Sequence, residues 1–362
     1  MQTIRDWLSR HMNDPQVVAL TGVLLVGLGT VVFFGDMLAP VFTAIVIAYL
    51  LEGVVQKLEH WIPRGPAVIV VFLLFMAGFA LVMFALMPTL TQQVAQLVEN
   101  LPRMLDRGQT TLLRLPERYP EFFSAEQVSS LLAAIRQESV DLGRMLVSSV
   151  SLSSVVKIFT LVVYSILVPL LVFFFLKDKA RLLGWVRRCL PRHRTLADTV
   201  WHEVDMQIGN YVRGKFLEIL IVGAAAYITF VLLGLQFAAL LAVVTGLSVI
   251  IPYIGATVIT VPIAVVAYFQ FGPSSEFIWV MAAYAIIQAL DGNVLVPLLF
   301  SEVVNLHPVA IIVSILVFGG IWGFWGIFFA IPLATLINAV INAWPEPEPP
   351  EAARGEADDA SG

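Results

Sequence analysis

Asp291 is the costliest residue in the sequence. It stands between Ile286-Ile287 and Val294-Leu295-Val296, inside an apolar run. A carboxylate at membrane depth costs about 2.5–3.5 kcal/mol even on insertion scales, so such a residue carries a function hypothesis by default. Three roles fit it. It binds an ion, a proton or a substrate group; it caps the end of a broken helix; or it lies at a membrane interface. Gln288 and Asn293 are its polar neighbours in sequence. Asn293 is two positions on and would point elsewhere on an unbroken helix. A break at Gly292 would let the two side chains converge.

Other ionisable residues read more plainly. Glu218 lies three residues after Lys215, the spacing of an ion pair on one helix face, and is the next candidate for a charge-coupling role. Asp36 falls between two apolar runs and suits a tight turn. Lys157 is near the end of a run and can snorkel to the interface. His307, with Asn305 and Pro308, joins two apolar runs, as a loop residue or as a proton relay. Trp322 and Trp325 suit an interfacial belt or a gate. The single cysteine, Cys189, excludes an intramolecular disulfide framework and a multi-thiolate metal site. The five histidines form no ligand pair, so no metal and no cofactor is expected. There is no Walker loop, no Gly-x-Ser-x-Gly and no His-Glu-x-x-His, and Asp291 has no second aspartate at comparable depth. The chain is not read as an enzyme.

These residues sit in elements of one kind. Of 362 residues, 59% are apolar and only 13% charged, against about 45–50% and about 25% in soluble domains. A water-facing shell cannot cover that much apolar surface. Composition excludes a soluble enzyme, a nucleic-acid binder and a disordered chain. It predicts an all-α, polytopic membrane protein whose solvent is the lipid bilayer.

Residues 1–87 hold three predicted spans: Val17–Phe34, Met37–Leu51 with Pro40 in its opening turn, and Pro66–Met87. The first is read as an uncleaved span rather than a signal peptide. Residues 88–154 change character, with six arginines and seven acids. Helical spacing of Leu90, Val94, Leu97, Val98 and Leu101, and of Val128, Leu131, Leu132, Ile135, Leu142 and Leu146, predicts amphipathic helices outside the membrane or lying on it. Ser124 and Gln127 fit a capping box. Residues 155–176 are the fourth span. Residues 177–215 carry nine Lys/Arg against four acids. There Leu182, Leu183, Val186 and Leu190, beside Trp185, suit a helix at an anionic membrane surface. The fifth span is Phe216–Leu235. Residues 216–344 form an apolar core with repeated breaks, and the acidic, proline-rich 345–362 are expected to be disordered. The basic excess of 177–215 assigns that segment and both termini to the cytoplasm and 88–154 to the periplasm.

Two stretches of the core resemble each other. Thr245–Gly255 holds Pro252-Tyr253-Ile254-Gly255, with Pro262-Ile263-Ala264 beyond it. Val317–Gly326 holds Gly319-Gly320, Trp322-Gly323 and Trp325-Gly326, with Pro332-Leu333-Ala334 beyond it. Paired interrupted segments point to a transport site, because irregular backbone survives in a membrane only inside protein or beside a wet cavity. The alternative is that Gly and Pro merely kink ordinary spans and allow close packing.

Ile251-Pro252-Tyr253-Ile254-Gly255, Asp291 through Pro297, Asn305-Leu306-His307-Pro308, and Gly319-Gly320 with Gly323, Gly326 and Pro332-Leu333 together resemble the signature of the autoinducer-2 exporter family. Tyr211-Val212-Arg213-Gly214-Lys215 and Phe173–Lys179 resemble its central pattern. The likeness covers about residues 15–344 and is strongest over 280–344. It implies an integral inner-membrane protein of about eight spans, with some broken segments re-entrant. It also implies transport of a small solute, and a homo-oligomeric ring for which five copies is one candidate count. The leading reading is a secondary transporter whose breaks form the gate and whose Asp291 binds a coupling ion or fixes substrate. A Na⁺(Li⁺)/H⁺ antiporter and a non-transporting scaffold or lipid-handling protein are the alternatives.

Overall fold

A computed structural model describes residues 15–113, 153–189, 195–252, 254–300 and 307–343. Among the described residues every regular element is a helix. In chain order these are α1 (Pro15–Glu59), α2 (Arg64–Leu81), a π-helical turn (Val82–Leu86), α3 (Met87–Leu113), α4 (Ser153–Lys177), α5 (Lys179–Cys189), α6 (Thr195–Leu232), α7 (Ala238–Ser248), α8 (Ile254–Phe271), α9 (Ser275–Leu290), a second π-helical turn (Asp291–Leu295), α10 (Val296–Phe300) and α11 (Pro308–Ala343). Among the described residues seven stretches are long and apolar enough to cross a membrane, and α7 is a shorter apolar helix. The protein is a polytopic helical membrane protein.

Several expectations change here. The runs Val17–Phe34 and Met37–Leu51 are not separated by a turn at Asp36; both belong to α1, and Pro40 lies in its interior. Gly292 does not break its helix; it sits in a π-helical turn whose exit amide, Val296 N–H, reaches the Asp291 carbonyl. The fifth span starts well before Phe216, so Lys215 and Glu218 are inside it. The expected helix around residues 128–147 and its Ser124 cap lie outside the described residues, as do Tyr253, Asn305 and the tail.

The chain forms two compact units, one of residues 34–186 with 209–303, the other of 1–33, 187–208 and 304–362. The described residues of the first include two apolar clusters. One joins Ala44, Ala48 and Val55 of α1 to Ala67, Val68 and Val71 of α2 and Val168, Val172 and Leu176 of α4. The other joins Ala226 and Phe230 of α6 to Leu241 and Ala242 of α7, Ile259 and Ile263 of α8, and Val280 and Tyr284 of α9. Lipid tails are as apolar as leucine, so close van der Waals contact rather than burial from water holds such helices together. Small residues provide it. A Cβ on Gly246 of α7 would lie 2.8 Å from the Ile219 carbonyl oxygen and 3.1 Å from the Gly223 Cα of α6.

The two similar stretches are both sharp reversals. A Cβ on Gly255 would fall on the Ser248 carbonyl oxygen, and one on Gly326 would fall on the Phe318 carbonyl oxygen. Residues seven or eight apart on a straight helix are separated by about 10–12 Å at 1.5 Å per residue. Contact over that sequence distance requires the chain to fold back. In the first stretch the fold lies between α7 and α8. In the second, α11 contains a non-helical residue, Gly323 (φ 59°, ψ −133°), where two helical halves meet. Pro308–Ala343 is thus a helical hairpin and not one straight crossing.

Candidate functional site

In the first unit, α6 places Lys215 and Glu218 one turn apart. The Lys215 Nζ lies 2.6 Å from Glu218 Oε2, with Lys215 only 3% and Glu218 2% exposed. A buried ion pair holds only if further bonds satisfy its remaining donors. Lys215 finds two more partners: it donates to the Val249 carbonyl at 2.9 Å, and its ammonium lies 5.1 Å from the Phe300 ring centroid. Val249 is the residue on which α7 ends, at the start of the reversal. Its carbonyl is one of those a helix end leaves without an intrahelical donor. The ammonium therefore ties three elements: the carboxylate of α6, the broken end of α7 and the aromatic ring of α10. Gly214 makes room for the last of these, since a Cβ there would lie 2.8 Å from Phe300 Cε1. Tyr211, one turn earlier, packs on the same ring at 5.9 Å between centroids.

Asp291 belongs to this cluster. It opens the second π-helical turn, near enough to Lys215 for the ammonium to act on it and to Glu218 for its own charge to act there. Its Oδ1 is shut off from solvent and accepts no hydrogen bond. Two carboxylates against one ammonium leave the cluster a formal charge of −1 when all three are ionised. A bare excess charge in a low-dielectric site is costly. The arrangement therefore favours uptake of one positive charge, as a proton on a carboxylate or as a cation.

Of the other residues singled out in the sequence, Gln288 lies on a neighbouring polar chain. It donates to the Tyr284 hydroxyl at 3.1 Å, and that hydroxyl donates to the Ala256 carbonyl at 2.8 Å, joining α9 to the first turn of α8. Gly255 and Pro252 form the reversal beside the Lys215 contact. Asn293 is exposed and bonds back to the Ala289 carbonyl at 2.8 Å, so it does not converge with Asp291. Gly323, Gly326 and Pro332 shape the α11 hairpin in the other unit. His307 accepts from the Val309 amide at 3.3 Å, a cap at the start of α11. Lys215, Tyr211, Phe300 and Tyr284 were missed as site residues. The Lys215–Glu218 spacing announced the pair, but only the fold shows it buried. Gln93 was missed too: its Oε1 accepts from the Leu240 amide at 2.8 Å. The hairpin arm α7 is thus held by Gln93 near its first turn and by Lys215 at its last.

A family model described as "AI-2E family transporter" matches residues 22–346. The chain is 48% identical to the "Putative permease PerM" of Escherichia coli strain K12, over 96% of this chain and 98% of that protein. It is 29% identical to the "Putative transport protein YueF" of Bacillus subtilis strain 168, over 85% of this chain and 84% of that one. It is 22% identical to the "AI-2 transport protein TqsA" of E. coli K12, over 91% and 93%.

Proposed function

The chain belongs to the AI-2E transporter family and is a multi-pass membrane transporter; from that premise we propose that it is a secondary transporter of a small solute, driven by an ion gradient through Asp291. The observation that carries this reading is the buried Lys215–Glu218 pair, with Asp291 near it, set against a broken helix end. Loading one positive charge on the cluster weakens the hold of the carboxylates on Lys215, and Lys215 is the tether of the α7–α8 reversal. Charge state and hairpin position are coupled through one ammonium. A two-position element biased by such a change is the minimum that alternating exposure requires.

The same reading puts the protein in the inner membrane, with both termini and the basic segment 177–204 in the cytoplasm, working as a homo-oligomer. No catalytic role is assigned to any residue. The decisive experiment reconstitutes the full chain in proteoliposomes and follows uptake of a solute panel under imposed pH and sodium gradients. Asp291→Asn keeps the shape and removes the charge. It should express and elute as the wild type does while gradient-driven uptake is lost. Normal gradient-driven uptake by Asp291→Asn would remove the coupling role and leave Asp291 a structural residue. A gradient of sodium or lithium that drives proton movement with no solute present would favour antiport.

A further inference from the structure

The short helix α5 carries a face that the rest of the described chain leaves uncovered. Arg181 and Trp185 are four residues apart and share that face. Both are exposed, Trp185 at 66%, and Leu182 is exposed beside them. Its orientation is set from the other side. Lys179, in the first turn, pairs with Glu52 of α1 at 3.0 Å. Glu52 is also held by Arg64 of α2, through 3.1 and 3.2 Å bonds to its two oxygens. Arg64 in turn pairs with Glu59 at 2.7 Å and donates to the Leu176 carbonyl of α4 at 3.1 Å.

This collar ties the ends of three apolar helices to the root of α5. Four charged side chains do not lie in hydrocarbon, so the collar marks the level at which the bundle meets the headgroups. The chain bends at Asp178 on leaving α4, and α5 begins there. The helix is therefore fixed at headgroup depth with a tryptophan turned outward. Its charge selects the occupant. From 177 to 188 the sequence has Lys177, Lys179, Arg181, Arg187 and Arg188 against Asp178 alone. An indole is at home between acyl chain and headgroup. A guanidinium offers a planar fork that matches phosphate.

We propose that the Arg181–Trp185 face of α5 is a binding surface for anionic phospholipid, with the indole set in the headgroup layer and the basic side chains on lipid phosphates. The proposal does not depend on what the protein transports or on which leaflet it faces.

The test uses the full chain. Native mass spectrometry of the wild-type protein, released from mixed micelles of phosphatidylglycerol and phosphatidylcholine, should show phosphatidylglycerol retained in preference. Arg181→Gln should lower the retained phosphatidylglycerol about fivefold while leaving phosphatidylcholine unchanged, as expected for loss of one charge's attraction. In a Cys189→Ser background, a nitroxide on Leu182→Cys should be shielded from an aqueous nickel reagent in vesicles containing phosphatidylglycerol. It should be less shielded in phosphatidylcholine alone. Equal retention of the two lipids by the wild type would overturn the proposal. So would a nitroxide as open to nickel in anionic vesicles as a fully water-exposed site, which would leave α5 in water and free for a soluble partner.

Discussion

Lys215 shows how one buried charge can organise three elements. Its ammonium faces a carboxylate, a carbonyl and an aromatic ring, and each has a different fate if it is removed. Lys215→Met strands Glu218 as a buried charge and leaves the Val249 carbonyl without its donor. Breaking a buried pair from one side costs about 3–5 kcal/mol. Melting of the detergent-solubilised variant should drop accordingly. Glu218→Gln alone should cost less, because the ammonium keeps the Val249 carbonyl and the Phe300 ring and has Asp291 nearby. The double variant Lys215→Met with Glu218→Gln should recover part of the single Lys215→Met loss, because Glu218 no longer stands as a stranded buried charge. A double variant as unstable as the sum of the two singles would show that the pair itself contributes nothing. Asp291 stood out in the sequence because its cost is visible there: a carboxylate in an apolar run. Lys215 did not, because a lysine at the edge of a basic segment looks like a surface residue until the fold buries it.

At the scale of elements, the two reversals depend on glycines that admit no side chain. At Gly255 and Gly326 the space a Cβ would need is taken by backbone carbonyls, which cannot swing aside as a side chain end can. Gly255→Ala and Gly326→Ala should each abolish a monodisperse elution peak or lower the melting temperature steeply. Gly292→Ala is the matched control: nothing lies within 4 Å of its added Cβ, and alanine favours a helix by about 1 kcal/mol over glycine. It should melt at or above the wild-type temperature. Equal, mild effects at all three would mean that the reversals are not tightly closed. Pro, Gly and aromatic residues in like order announced both breaks, so their existence was legible in the sequence. Their form was not. A kinked span and a hairpin share the same letters, and the difference lies in one φ angle, as at Gly323, or in which carbonyl a glycine approaches. The π-helical turns at Val82–Leu86 and Asp291–Leu295 left no such mark. Inserting one residue's worth of slack into a helix changes no composition and little periodicity. Gly292 therefore read as a break when it is part of a continuous turn.

At the scale of the whole chain, the structure fixes which segments share an end of the first unit, and the charges say which compartment that end faces. Arg64, at the start of α2, donates to the Leu176 carbonyl at the end of α4. Helix α2 therefore leaves the collar and α4 returns to it. Residues 82–113 begin beyond the far end of α2, and Ser153 starts the way back. The end of α2 at Leu81 and the start of α4 at Ser153 lie on the opposite side from Glu52, Arg64 and Lys179. That deduction uses no charge rule. Which side is the cytoplasm does use one: lysine and arginine in short loops are retained inside, and 177–204, ahead of the span, carries seven of them. An alkaline phosphatase reporter inserted within 117–126 should be active, and one within 187–195 inactive; a fluorescent protein that folds only in the cytoplasm should give the reverse. The helix pairing and the charge assignment can fail separately. If both reporters read the same compartment, the pairing of α2 and α4 across one bilayer is wrong. If they read opposite compartments in the inverted sense, the helix pairing stands and the charge assignment falls. The proposed coupling cluster would then face the imposed gradient from the other side, and export and import would exchange places.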